Sequence, residues 1–296
     1  MLGHFSTNIK KLNQLWLLVD LVIQLWSDID YMLDFYNLNE KPFSLLPNPR
    51  FLYLSDQYLE TKSKLLYFLQ DRSACLYLYG EVGYGKTSLL RLIIQEITEQ
   101  PDVIAKYVIS PNLKTANQLL RKICDEFQVK TARSYAGSLK NLETYLISQA
   151  KENKVPLLLL DESQNITLDG LRLIHYLLNF VTDERVLLMI VLVGQPELAD
   201  RINRFQSLKS RLISASLTAM TRKDMEQMII FRWHAATGSK DRQPPFDPDA
   251  YDLIYKITKG NPRMVCKLCN NALLQGLAKR QQTISADVIQ TAATEL

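Results

Sequence analysis

Four short runs of the chain are apolar at nearly every position, and helix-like stretches lie between them. The runs are Ala74–Tyr79 (ACLYLY), Ile104–Ile109 (IAKYVI), Val155–Leu160 (VPLLLL) and Val186–Val193 (VLLMIVLV). Runs of this length without polar alternation predict strands covered on both faces, as in a parallel sheet. Helices are predicted over Thr87–Glu99, Thr115–Gln128, Ser138–Glu152 and Leu168–Thr182. A further helix over Glu197–Leu208 and a shorter fifth strand over Leu212–Leu217 complete the series. Right-handed crossovers between such strands give a three-layer α/β fold around a five-stranded parallel sheet.

Beyond Ala219 the pattern changes to helices alone. Thr221–Asp224 reads as a capping box with Asp in place of Glu, opening a helix over Met225–Ala236. Asp247 and Pro248 supply an N-cap and a first-turn proline before Asp249–Thr258. Gly260–Pro262 ends that helix and begins another through Ala278, and Ser285 caps a last one. Gly238–Phe246 reads as a surface loop. The expected division is an N-terminal extension (1–31), an α/β domain (32–220) and a small all-helical lid (221–296). Leu12–Trp26 in the extension is apolar, yet Asn13, Gln14, Asp20 and Gln24 interrupt it. It falls short of the ~20 apolar residues that span a bilayer. We read it as an amphipathic docking helix or as sequence upstream of a natural start at Met32, without stable membrane insertion.

Composition changes this picture little. The 296 residues are 47% hydrophobic and 22% charged, ordinary for a globular chain with ample core. A net charge of +4 permits nucleic-acid binding without requiring it. Four cysteines without a secretory signal predict free thiols and a cytoplasmic location. Cys266 and Cys269 have metal-like spacing but share one predicted helix and read as core thiols. His4, His175 and His234 form no cluster.

Chemistry enters with GEVGYGKTS, residues 80–88, between the first strand and a helix. Gly80, Glu81, Val82, Gly83, Tyr84 and Gly85 are expected to curl backbone N–H groups around phosphate, and the helix N-terminus adds positive potential. Lys86 would reach the β- and γ-phosphates of ATP, Thr87 would hold Mg2+, and Ser88 follows on the helix. LLLLDESQN puts Asp161 and Glu162 at the end of an apolar strand, where Asp161 would orient the metal and Glu162 polarise water. Having both acids points to hydrolysis. Gln195, after the fourth strand, would sense the γ-phosphate or position water. Arg211 would reach a neighbouring subunit's site as a transition-state arginine, which requires a homo-oligomer. Arg263, opening a lid helix, would contact phosphate. Lys114, Lys130, Arg133 and Lys140 are solvated loop charges or the lining of a pore that grips a phosphate backbone.

Taken together, these motifs resemble the AAA+ ATPases, specifically the ExeA-like group. FYNLNEKPFSLLPNPRFLYLS, GEVGYGKTSLLR, LLLLDESQN, VLVGQPEL and GNPRMVCKLCNNALL carry the likeness, which spans Met32 to about Val288. It implies a P-loop AAA+ domain with a lid, ATP and Mg2+ as cofactors, Pro49 and Phe51 near the adenine, and Arg263 as the sensor arginine of the lid. Tyr84 and Ser163 depart from the smaller residues usual there. The group has a secretion-assembly branch and a branch resembling the TnsC, TniB and MuB regulators of transposition. A compact, mildly basic ATPase plus lid leads us to expect the second. On that expectation ATP drives a ring or filament on double-stranded DNA and connects a target-selection protein to a transposase. The alternative is an ExeA-like ATPase that assists a secretion or envelope export system.

Overall fold

The computed structural model describes residues 31–46, 48–98, 102–109, 113–183 and 185–296. The apolar segment Leu12–Trp26 lies outside the described residues. No helix among the described residues is long and apolar enough to cross a membrane. Two compact units result, one over Leu54–Met220 and one joining the described residues up to Tyr53 with Thr221–Leu296.

In the first unit all five apolar runs become strands: β1 (Cys75–Tyr79), β2 (Val103–Ile109), β3 (Val155–Asp161), β4 (Met189–Gly194) and β5 (Leu212–Ser216). Their order is β2-β3-β4-β1-β5 and every neighbouring pair is parallel. Leu158, Leu160, Ile190 and Leu192 enter a core cluster with α4 (Ala116–Glu126), α5 (Tyr135–Lys151), α6 (Leu168–Leu177) and α7 (Pro196–Arg204). The alternate positions Leu157, Leu159, Val191 and Val193 are equally buried. Both faces are therefore covered, which is why the strands read as unbroken apolar runs. Each buried leucine contributes about 1.5–3 kcal/mol relative to exposure.

Several element boundaries differ from expectation. β4 begins at Met189, because Val186 instead forms an isolated antiparallel bridge with Val181. That same turn stops α6 at Leu177 instead of Thr182. The helix expected over Glu197–Leu208 is broken at Phe205 (φ −109°, ψ 77°) into α7 and α8 (Gln206–Lys209). The longest helix not anticipated precedes β1. α2 (Asp56–Gln70) buries Tyr58, Thr61, Leu65 and Phe68 and is capped by Ser55 Oγ, which accepts the Tyr58 N–H. The helix after the glycine-rich loop is α3 (Lys86–Thr98).

The second unit contains a helical segment over residues 31–36 (α1), 3-10 turns at Pro49–Phe51 and Ala293–Glu295, and four helices: α9 (Arg222–Thr237), α10 (Pro248–Thr258), α11 (Pro262–Ala278) and α12 (Ala286–Ala292). The expected boundary put residues 32–53 in the α/β domain, whereas they group with these helices. Hydrogen bonding explains it. Tyr36 Oη donates to the Leu273 carbonyl at 3.1 Å, and the Asn39 N–H donates to the Ala236 carbonyl at 2.9 Å. Arg232 of α9 donates to the carbonyls of Pro42 (2.7 Å), Ser44 (2.8 Å) and Phe51 (3.2 Å), and its guanidinium lies over the Phe51 ring. One side chain thus ties three carbonyls of the preceding segment to α9.

Arg232→Met keeps the aliphatic stem but removes all three bonds. It is expected to cost on the order of 2–4 kcal/mol, because charge-assisted bonds to buried carbonyls are the strong kind. Amide hydrogen exchange across residues 42–53 should accelerate, while exchange in β1, β3 and β4 stays slow.

Candidate nucleotide site

The sheet order brings the ends of β1, β3 and β4 together, since β4 lies between the other two. Tyr79 is in register with Gly194 and Leu160 with Leu192, so the segments after Tyr79, Leu160 and Gly194 emerge side by side. In an open parallel sheet this carboxyl edge is where ligands bind.

After β1 the chain turns through residues 80–85 into α3. Gly83 and Gly85 have φ of 89° and 90°, a region that side-chain-bearing residues avoid. Behind the turn, Tyr58 Oη donates to the Gly85 carbonyl at 2.8 Å, and a Cβ on Gly85 would press against the Tyr58 ring. Lys86 Nζ donates to the carbonyls of Gly80 (2.6 Å) and Glu81 (2.9 Å), which keeps the ammonium at the loop. The first N–H groups of any helix have no intrahelical partner, so the turn presents donors at the start of α3.

Asp161, 5% exposed, is the buried charge of the site. Its Oδ2 accepts from Thr87 Oγ1 at 3.1 Å and from Tyr107 Oη at 2.7 Å, and its Oδ1 accepts the Glu162 N–H at 2.9 Å. Tyr107 reaches it because Tyr107 pairs with Leu159 across the parallel ladder, and Asp161 lies two residues further along the same face. Burial, and then the bond to Asp161, push the Tyr107 phenol up; burial alone does the same at Tyr58. Both remain protonated donors at ordinary pH.

Glu162 is exposed and adopts a left-handed backbone (φ 53°, ψ 34°). Its Oε2 accepts from Gln164 Nε2 at 2.6 Å. Ser163 is buried, and its hydroxyl is satisfied by the Leu160 carbonyl at 2.8 Å, so the departure from a smaller residue costs no lone donor. Gln195 caps α7.

Gly80–Ser88, Asp161, Glu162 and Gln195 therefore assemble at one sheet edge. Arg211 lies in the same unit, exposed, with its guanidinium on Asn179 Oδ1 at 2.5 Å. Pro49, Phe51 and Arg263 belong to the helical unit, the first two in the 3-10 turn and Arg263 in the first turn of α11. Lys114 lies between β2 and α4, Lys130 and Arg133 between α4 and α5, and Lys140 within α5. Tyr58, Tyr107 and Gln164 were not anticipated. Spacing of buried positions in α2 and the strand alternation of IAKYVI were the available signals for the two tyrosines.

Among the described residues no cluster of three or more His, Cys, Asp or Glu could hold a metal alone. One buried carboxylate beside one hydroxyl suits a hard cation that takes its remaining oxygens from phosphate and water. All four cysteines are free and buried. Burial raises each thiol, Cys124 to about 11 and Cys269 well above its usual value.

Residues 70–202 match the AAA domain family. That stretch carries the glycine-rich turn, Asp161, Glu162 and Gln195, and it has the P-loop AAA+ fold. It is 32% identical over 267 residues to the general secretion pathway protein A of Aeromonas hydrophila, covering 88% of this chain and 48% of that one. The chain thus spans about half the length of that curated relative, and the likeness supports the ExeA-like grouping of the ATPase. Among solved structures, the Aeropyrum pernix ORC2 protein in ADPNP–ADP complexes aligns with a TM-score of 0.63 at 19% identity (87% of this chain, 72% of that one). Drosophila ORC bound to DNA aligns at 0.65 and 17% (90% and 65%). The Thermotoga maritima RuvB branch migration motor aligns at 0.52 and 16% (82% and 70%). At these identities the likeness establishes the fold, a P-loop AAA+ ATPase domain with a mostly helical remainder.

Two outcomes follow for this site. In the native ATPase the four thiols should resist a small thiol reagent at pH 8 and react together once the chain is denatured. Tyr107→Phe removes one of three donors to Asp161. It should raise the divalent-cation concentration for half-maximal ATPase activity about tenfold while leaving the melting temperature within a few degrees.

Proposed function

We propose that this ATPase uses its nucleotide cycle to control assembly of a secretion or export complex at the cell envelope. The observation that carries the setting is the 32% identity, over 88% of the chain, to a general secretion pathway protein A. The geometry of the carboxyl edge supports the chemistry. Gly80–Ser88 cradle the phosphates, with Lys86 on the β- and γ-phosphates. Thr87 and Asp161 fit Mg2+, which would neutralise charge on the phosphate oxygens. Glu162 activates water and Gln195 senses the γ-phosphate. Pro49 and Phe51 serve the adenine and Arg263 a phosphate from the helical unit. Arg211 acts in a neighbouring copy of a homo-oligomer, after exchanging Asn179 for phosphate; an exposed bond of that kind costs about 1 kcal/mol to release.

A second reading has a specific observation of its own. Two of the fold neighbours carry DNA in their complexes, the Aeropyrum pernix ORC1 protein and Drosophila ORC. An oligomer that assembles on duplex DNA, with Lys114, Lys130 and Arg133 toward the backbone, would fit a transposition regulator that links target selection to a transposase. The named relative favours the envelope setting over this one.

Glu162→Gln should bind ATP normally, lose turnover by roughly 10²–10⁴-fold and persist as the assembled particle with ATP. Unchanged turnover and particle size would exclude Glu162 from water activation. The settings separate in one comparison of the full chain with ATP, ADP and no nucleotide. ATP-dependent recovery with the envelope fraction, and no duplex binding at low salt, supports the first. Duplex binding that requires ATP and falls steeply with salt supports the second.

A further inference from the structure

The carboxylate assigned to water activation is held by an unassigned amide. Gln164 Nε2 donates to Glu162 Oε2 at 2.6 Å, while Gln164 Oε1 accepts the Gln195 N–H at 3.2 Å. The chemistry fixes the orientation of this amide. A flipped amide would set its oxygen against the carboxylate and its NH2 against an N–H. One planar group therefore joins the end of β3 to the first residue beyond β4.

An exposed Gln–Glu bond two residues apart contributes little by itself. Here other elements fix the glutamine. Arg201 of α7 donates to the Gln164 backbone carbonyl at 2.6 Å. Gly194 leaves room for the side chain, since a Cβ there would stand 2.9 Å from Gln164 Oε1 and 3.1 Å from its backbone nitrogen. The Glu162 backbone is pinned as well, by Asp161 Oδ1 on its N–H and by the Asn165 N–H on its carbonyl at 3.0 Å. The freedom left to Glu162 is rotation of its side chain, and Gln164 takes up that freedom.

We propose that Gln164 is the positioning residue for Glu162. It engages Oε2, leaves Oε1 to accept a proton from water, and ties the carboxylate to the end of β4 and to α7. Through Arg201 the helix that leads toward Arg211 has a short covalent and hydrogen-bonded route to Glu162. A shift of α7 on assembly would then be felt at the carboxylate. This inference rests on the role of Glu162 proposed above.

The test uses Gln164→Leu and Gln164→Glu in the full chain, each alone and combined with Glu162→Gln. Turnover at saturating MgATP and affinity for a fluorescent, non-hydrolysed ATP analogue are measured for all. Gln164→Leu should lower kcat roughly 10- to 100-fold with analogue affinity within about twofold. Combined with Glu162→Gln it should add no further loss, because both changes remove the same contribution. Gln164→Glu keeps an acceptor for the Gln195 N–H but loses the donor, so it should lose kcat as the leucine variant does. Being nearly isosteric, it also carries the test if the leucine variant fails to fold. Equal losses with and without Glu162, unchanged kcat in the leucine variant, or full activity in Gln164→Glu would each overturn the proposal. Full turnover in Glu162→Gln alone would overturn the role of Glu162 itself and is read separately.

Discussion

The oxygens of a buried carboxylate must be met by donors, and Asp161 is the point where this constraint organises the site. Its donors come from three separate places: the start of α3, the middle of β2 and the first peptide beyond its own strand. Each arrives only if the sheet has its order and register. β2 must pair with β3 so that Tyr107 faces Leu159, and β1 must deliver the glycine-rich turn close enough for Thr87 to touch Asp161. Satisfying one charge thus ties the phosphate loop to the strand that carries the two acids. The same donors leave a lone pair and a hydroxyl oxygen suited to a cation shared with phosphate.

The parts of this arrangement that follow from local rules were legible in the sequence. A two-faced buried strand is an apolar run, a phosphate loop needs glycine at fixed places, and a helix announces its caps. Thr221, Asp247 and Ser285 stand at helix starts as expected. What the sequence hid depends on contacts across long separations. Arg232 reads as one more charge on a helix, yet it holds residues 42–51 to the helical unit and so moves the domain division away from residue 32. Tyr107 reads as one residue of a strand, and Tyr58 lies in a stretch where no element was predicted. Their hydroxyls acquire a purpose only when Gly85 and Asp161 are brought beside them. The break at Phe205 was hidden for the same reason, because the helical period continues through it while the backbone does not.

Local preference and observed structure disagree at Glu162. A β-carbon-bearing residue in the left-handed region costs on the order of 1 kcal/mol, and nothing about a strand end requires it. The surroundings over-determine it instead: the Asp161 carboxylate takes the N–H, the Asn165 N–H takes the carbonyl, and Ser163 anchors the turn to Leu160. Strain that is held in place by so many bonds directs the side chain out of the strand, where the sheet no longer covers it.

On the proposed role of Glu162, that direction bears on how hydrolysis would be joined to assembly. A glutamate on a pinned backbone has few ways to respond to a neighbour except through whatever touches its carboxylate. Gln164 is that contact, and its other bonds run to the Gln195 peptide and, through Arg201, to α7. Arg211 lies only seven residues beyond the end of α7, across the Phe205 break and the short α8. A non-helical residue at that break lets the two short helices shift as separate pieces, whereas one continuous helix would have to move whole. The broken helix and the glutamine are therefore complementary features: one permits a displacement on the side that carries Arg211, and the other conveys it to the acid at the end of β3.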